Sequence, residues 1–353
     1  MRQIFVVVSI LASVILVLPA LLVMVFSDSE ANMKTVDVEE TEDIQTVEEA
    51  EETDEVEEAV DVFVPVYRDQ TEQVEEVELE TYVRGVVASE MPASFEMEAL
   101  KAQALVARTY VVKQMEYEES INLPGGALVT DTTSHQVYSS DEELQQRWGA
   151  DYEEQMTRIE EAVNATAGEV ITHDGDPITA SFFSTSNGYT ENVEDYWKTS
   201  LPYLRSVESP WDQEVSPRFN NTVTLTVGDV EAALGVSLPE AGDFAPITER
   251  TEGGRVAKVS IGEQTFHGRE IREALGLDSS DFDWRREGNE VIVQTRGWGH
   301  GVGMSQYGAD GMAKDGRNYE EIVTHYYQDI QIDDTTQAAE SYVLNFTKED
   351  ETD

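Results

Sequence analysis

The sequence predicts an α+β fold: a single mixed helix-and-hairpin domain behind an N-terminal transmembrane helix and a disordered acidic linker. Three observations carry this. Helical stripes and alternating strand segments follow one another without a regular strand–helix–strand rhythm. Asp174-Gly175, the dipeptide preferred in tight hairpins, separates two apolar runs. No segment repeats at a fixed period.

The chain of 353 residues has room for one large domain or two. Its charge is extreme, 23 Lys and Arg against 72 Asp and Glu for a net −49. That argues against nucleic acid or anionic lipid headgroups as partners, since both are held by Lys and Arg. It fits a surface that stays soluble in high salt, where carboxylate repulsion is screened. The chain has no cysteine, hence no disulfide, thiolate nucleophile or Cys-ligated metal.

Residues 1–27 read as a cytoplasmic N-terminus and membrane anchor. Ile4–Phe26 carries no charge over 23 residues, and a spanning helix needs about 20. A cleavable signal peptide is the competing reading, but its apolar region is shorter and Val25-Phe26-Ser27 is a poor small-residue cleavage site. Arg2 before the run and acids after it put the rest of the chain outside the cytoplasm. Residues 28–61 are rich in Glu, Thr and Val, too poor in apolar surface to fold, and read as a disordered spacer or a charged helix.

The folded domain is expected over residues 62–345, with a change of texture near 210 and an acidic tail over 346–353. Val62, Val64 and Val66 alternate as a strand does, and Val77 and Leu79 do so briefly. Glu80–Ser89 reads as a helix stopped at Pro92, which biases Met91 to an extended conformation. Ser94 is the expected N-cap of a long helix reaching about Tyr117, with Met97, Leu100, Ala104, Ala107 and Val111 on one face. Asp141–Trp148 is a short helix, and Tyr152, Met156, Ile159 and Val163 stripe another. Glu169–Thr172 and Ile178–Phe183 form the Asp-Gly hairpin, which delivers the hydroxyl-rich loop Ser184–Thr190. Farther on, Thr222–Val227, Arg255–Ile261 and Glu290–Gln294 read as strands, and Val230–Leu234, Arg269–Leu275 and Tyr319–Tyr327 as helices.

Chemistry concentrates in Arg296–Ala309, RGWGHGVGMSQYGA, between a strand and a helix. Gly297, Gly299, Gly301 and Gly303 alternate with Trp298, His300 and Val302, and Ser305 and Gln306 follow. A functional loop and a tight structural turn with a satisfied histidine both fit such a stretch. Glu90 stands between two helices beside Val86, Val87, Met91 and Phe95, whose apolar burial would raise its pKa to suit a general acid. A solvated glutamate is the plainer alternative. Arg108 is unusual on a helix of Ala and Val, and suits a partner carboxylate, a sugar, or a surface position. Tyr189, Trp197 and Trp298 could stack on sugars or pack in a core. No histidine pair has zinc-protease spacing, and there is no nucleophile elbow or phosphate loop. His135 with Asp131 is a candidate metal pair.

Several motifs, taken together in order, resemble the stage II sporulation protein D family and its amidase-enhancer relatives. They are Val86-Val-Ala-Ser-Glu-Met-Pro-Ala93 with Glu98–Tyr110, Phe183–Thr190, Pro202–Pro210, Gly268-Arg-Glu-Ile-Arg272 and Gly297–Gly308. The resemblance implies a peptidoglycan lytic transglycosylase that cuts the β-1,4 bond between N-acetylmuramic acid and N-acetylglucosamine and leaves a 1,6-anhydro end. It implies Glu90 as the catalytic acid and base, and an amidase partner in the engulfment machinery of sporulation, on the mother-cell membrane facing the septum. Arg108, Ser186, Tyr189, His300 and Gln306 are the residues it suggests for the glycan groove. Some relatives bind zinc through a histidine and cysteines in the stretch matching Asp131–Ser140. This chain keeps His135 without a cysteine, so neither a tight zinc site nor another cofactor is expected. A non-catalytic, glycan-binding activator of an amidase is the alternative function.

Overall fold

The computed structural model describes residues 62–115, 123–239 and 244–335, all within one compact unit, Glu58–Asp353. The expected anchor, linker and acidic tail lie outside the described residues. Among the described residues no helix is long and apolar enough to cross a membrane.

The chain opens with a hairpin, β1 (Phe63–Arg68) and β2 (Gln73–Glu78), in register from Phe63 against Glu78 to Arg68 against Gln73. Helix α1 (Leu79–Glu90) follows at once, its first amides taken by the Glu78 carboxylate. Met91 ends it in the extended conformation that Pro92 imposes. Helix α2 (Met97–Met115) begins later than Ser94 foretells. Pro92–Phe95 closes a turn of its own, Phe95 N–H to Pro92 O at 3.0 Å, and the Glu96 carbonyl takes the first helical bond from Leu100. Next come β3 (Val129–Thr130), parallel to β1, α3 (Asp141–Trp148), sealed by a Ser140–Glu143 capping box, and α4 (Tyr152–Ala165).

β4 (Glu169–His173) and β5 (Asp176–Pro177) make the foreseen hairpin, with Asp174 and Gly175 both at positive φ, as a two-residue turn of this hand requires. The second expected strand breaks up. Its far end, β6 (Phe182–Phe183), leaves the hairpin to pair elsewhere. α5 (Val193–Trp197) and α6 (Asp212–Val215) are short. After them come β7 (Asn220–Thr226), α7 (Val227–Leu234), β8 (Ile247–Arg250), β9 (Val256–Ile261), β10 (Gln264–His267), α8 (Gly268–Leu275), β11 (Phe282–Glu287) and β12 (Glu290–Arg296). The chain closes through β13 (Met304–Ser305), parallel to β6, then α9 (Gln306–Lys314), α10 (Tyr319–Tyr326) and β14 (Gln331–Asp334).

The described strands form small sheets ordered β2-β1-β3, β14-β4-β5, β13-β6, β10-β9-β8 and β11-β12-β7. This is an α+β architecture, as the patterning predicts. α2 is its hub. The sequence suggests one apolar face, but the helix is buried nearly all round, from Leu100 and Ala102 to Leu105 and Val106. Its many alanines let α1, α4, β4, α9 and α10 approach it from every side. A second hydrophobic cluster, with Val230, Val259, Ile271, Phe282 and Val293, draws only on residues 227–293.

Candidate active site

Glu90 is the last residue of α1, so the chain turns away beside it and leaves its carboxyl at an open corner. The carboxyl is held. Val137 N–H donates to Oε1 at 2.9 Å, and Gln306 stands close enough to the same group for its amide to favour the charged form. Burial raises its pKa above the usual glutamate value, and these two donors, which favour the charged form, only partly offset it. Glu90, Ser184 and Gln306 line two clefts at once, one of about 680 Å³ and one of about 390 Å³. The carboxyl therefore stands where two binding spaces meet. Met91 and Phe95, expected to shield it, line the smaller cleft, and Val86 and Val87 lie in the core.

The glycine stretch forms one wall. It packs flush on Ser181–Ser186: Met304 N–H donates to Ser181 O, and Thr185 and Trp298 exchange backbone bonds at 3.0 and 2.8 Å. At Gly303 (φ 79°) a Cβ would fall on the Ser181 carbonyl, and at Gly301 (φ 90°) inside the Arg255 guanidinium. Arg255 is fully buried behind this wall, in a long ion pair with the buried Glu191 (3.7 Å) and bonded to Tyr189 O (3.2 Å). Its depth lowers its pKa. Both of the readings left open for the glycine stretch are present: a tight structural backbone, and side chains that reach the cleft.

The larger cleft is aromatic and basic. Tyr196, Trp197 and Trp298 line it beside Arg269 and Arg272. Arg269 lies over the Tyr196 ring at 4.6 Å, and Arg272 Nη1 donates to the Tyr196 hydroxyl at 3.1 Å. Arg218 covers Trp298 at 4.2 Å from the smaller cleft. The other carboxylate in the cleft walls, Glu273, is paired to Arg269 at 2.7 Å.

His300 lines the larger cleft and Gln306 lines both. His300 packs against Phe183, Tyr196 and Trp197, and its Nδ1 accepts Val302 N–H at 3.1 Å. Burial first, then Arg272 and other nearby cations, push its pKa down to about 3, so the imidazole is neutral. In that state it offers a ring face and a hydrogen-bonding edge.

Three expected groove residues lie elsewhere. Arg108 is a buried residue of α2 and lines neither cleft. Its Nε and Nη2 grip Glu80 at 2.8 and 2.7 Å, and its remaining donors reach Thr166 and the Val163 and Glu169 carbonyls. Of the readings open for it, the partner carboxylate holds. Ser186 turns inward, donating to Ser209 O at 3.0 Å, with its own N–H on Asp212 at 2.7 Å. Tyr189 is 45% exposed but lines neither cleft. His135 does line the larger cleft, with Nδ1 against Thr130 Oγ1 at 3.0 Å. Asp131, its proposed metal partner, is spent on Arg68 at 3.0 Å. Among the described residues no three His, Asp or Glu side chains converge on a metal position, so these residues do not fit a zinc ion.

The sequence reading did not single out Gln136, Ser184, Tyr196, Arg269 or Arg272. Ser184, Arg269 and Arg272 do fall inside motifs that carry the family resemblance, which was the available signal. Gln136 and Tyr196 carried none.

A family described as "Stage II sporulation protein" matches residues 67–173. The chain is 46% identical to the "Stage II sporulation protein D" of Bacillus subtilis (strain 168) over 343 residues, 97% of this chain and 99% of the relative. It is 48% identical over 282 residues to the Bacillus amyloliquefaciens protein of the same name, 80% of this chain and 82% of that one. It is also 27% identical over 302 residues to the "Amidase enhancer" of Bacillus subtilis (strain 168), covering 69% of this chain but 39% of that protein. At this identity over nearly the whole length of both chains, the protein belongs to the stage II sporulation protein D family.

Proposed function

We propose that this protein is a peptidoglycan lytic transglycosylase that acts on septal wall during sporulation. The observation that supports it best is the lone carboxyl of Glu90. It is raised in pKa by burial and stands between two clefts, and the other wall carboxylate, Glu273, is tied to an arginine.

A glycosidase that uses water or a covalent intermediate needs a second carboxylate. A lytic enzyme does not. Protonated Glu90 gives its proton to the glycosidic oxygen as the bond from the muramic acid C1 breaks. Positive charge develops at C1. The Glu90 carboxylate, steadied by Val137 N–H and Gln306, then takes the proton of the same sugar's C6 hydroxyl as O6 closes on C1. The products are a free 4-hydroxyl on glucosamine and a 1,6-anhydro ring. No water is consumed and Glu90 is again protonated. The internal nucleophile gains from proximity. Trp197 and Trp298 offer faces for sugar rings, and Arg269 and Arg272 suit a glycan whose muramic acid carries carboxylates.

Residues 1–27 would anchor the enzyme and residues 28–61 would hold the domain of residues 62–345 away from the bilayer, on the outer side of the mother-cell membrane. A second reading, a glycan-binding activator of an amidase, is favoured by the relative named for that role. One experiment separates them. Wild type and Glu90→Gln are incubated in high salt with purified glycan strands, and the products are weighed by mass spectrometry. Anhydro-terminated fragments from wild type alone are expected, with at least a hundredfold loss in the variant. Fragments of hydrolysed mass would replace the mechanism. Binding without cleavage, and amidase stimulation unchanged in Glu90→Gln, would favour the activator.

A further inference from the structure

The Gln306 amide that meets Glu90 is itself held from behind. Its Nε2 donates to Gln103 Oε1 at 3.5 Å, across from α9 to α2. Gln103 is fully buried in the middle of the hub helix, among Leu100, Ala102, Ala104 and Ala107. Among the described residues its own Nε2 meets no acceptor. A buried amide with an unmet donor costs stability that an apolar side chain of similar shape would not. The burden makes sense if the acceptor end is needed.

We propose that Gln103 is a positioning residue: its side-chain oxygen takes one N–H of Gln306 Nε2 and so keeps the other turned toward the Glu90 carboxyl. An amide has a donor end and an acceptor end, and which end faces Glu90 decides which protonation state is favoured. The donor end favours the carboxylate, the form that must collect the C6 proton. Gln103 faces Gln306 with an acceptor and thereby selects the donor end. Asp212 fixes the backbone below. It accepts hydrogen bonds from Ser305, the N-cap of α9, and from Ser209, so Gln306 starts its helix at a fixed point from which its amide reaches Gln103. The inference rests on the proposed acid–base role of Glu90, but its readout does not require turnover.

The titratable and charged groups facing this corner are Tyr82 from α1, Tyr110 from α2, His135 from the loop after β3 and His300 from the glycine stretch, with Arg269, Arg272 and Glu273 across the larger cleft and Arg218 and Tyr307 in the smaller. A residue-resolved probe is therefore needed. The test is a pH titration of glutamate side-chain carboxyls by 13C NMR on the full chain, with Glu90 assigned by its absence in Glu90→Gln. Wild type, Gln103→Met, Gln306→Met and the double variant are compared, each with its Tm and its kcat and KM on glycan strands.

Losing the donor makes the carboxyl hold its proton more tightly, so the Glu90 midpoint moves up in Gln306→Met and in the same direction in Gln103→Met. The double variant goes no further than Gln306→Met alone. Gln103→Met keeps or raises Tm, while kcat falls on the order of tenfold with KM little changed. An unmoved Glu90 midpoint in Gln103→Met, or shifts that add in the double variant, would overturn the proposal. So would a lower Tm with an unchanged titration, the mark of a merely structural residue. If wild type cleaves no glycan and the midpoints still move together, the positioning stands and the transglycosylase reading falls.

Discussion

Arg108 and Glu90 show how far a residue's neighbourhood decides its role. Both are ionisable groups on helices next to apolar side chains. Arg108 is sealed by a bidentate Glu80, so its replacement acts through folding. Arg108→Met leaves Glu80 unpaired and is expected to cost on the order of 3 kcal/mol, read as a lower denaturant midpoint with KM for glycan unchanged. A raised KM at unchanged stability would place it in the groove after all. Glu90 behaves oppositely. Its folded-state pKa lies above the unfolded value, so the folded protein binds the proton more tightly, and stability falls as pH rises from the unfolded value through the folded one. Glu90→Gln is therefore expected to be more stable than wild type at neutral pH and equal to it at low pH, by thermal melts across that range. Activity has the matching sign: in the proposed mechanism the acid form starts the reaction, so kcat/KM should fall as pH rises through the Glu90 pKa.

The glycine stretch is where an element's backbone matters more than its side chains. It lies between a strand, β12, and a helix, α9, and at Gly301 the space for a side chain is already filled by the Arg255 guanidinium. Gly301→Ala combines a left-handed backbone strain of about 1–3 kcal/mol with displacement of a buried cation. Its expected effect is a lower Tm and loss of glycan binding, since His300 and Trp298 flank the disturbed backbone. An alanine variant with native Tm and native binding would show that the wall can yield. Element boundaries were legible where local chemistry set them. The α3 range was readable as Asp141–Trp148, and the Asp174-Gly175 turn from two residues. β8, β10 and β11 were not, because they are largely exposed and polar, without a clear apolar alternation, and become strands only by pairing with neighbours.

Over the whole molecule, the larger cleft draws its walls from two hydrophobic cores. Ala180 and Phe182 come from the side built on α2, beside Glu90, and Arg269, Arg272 and Glu273 from α8, whose Ile271 belongs to the second cluster. Clefts between packed units are common ligand sites. The net charge of −49 acts at the same scale. Carboxylate repulsion reaches about 10 Å at 0.1 M salt but about 3 Å at 1 M, so the protein is expected to melt at a clearly higher temperature in molar potassium chloride than in dilute buffer. Equal melting temperatures would refute a salt-adapted surface.

By itself the sequence determined the fold class, the family, most of the helices and the place of Glu90, because these follow from local periodicity, capping and turn chemistry, and from motifs that survive in order along the chain. It also carried the charge and the missing cysteines, which need no fold to be read. Only the tertiary structure decided which polar residues share the cleft. Arg108 and Ser186 fall away from it. Arg272 enters from a segment 182 positions beyond Glu90. Gln103 and Gln306, 203 positions apart, meet behind the carboxyl. A helix buried on all sides gives no sequence stripe to say which face looks toward a site, and contacts across such distances are fixed by packing alone.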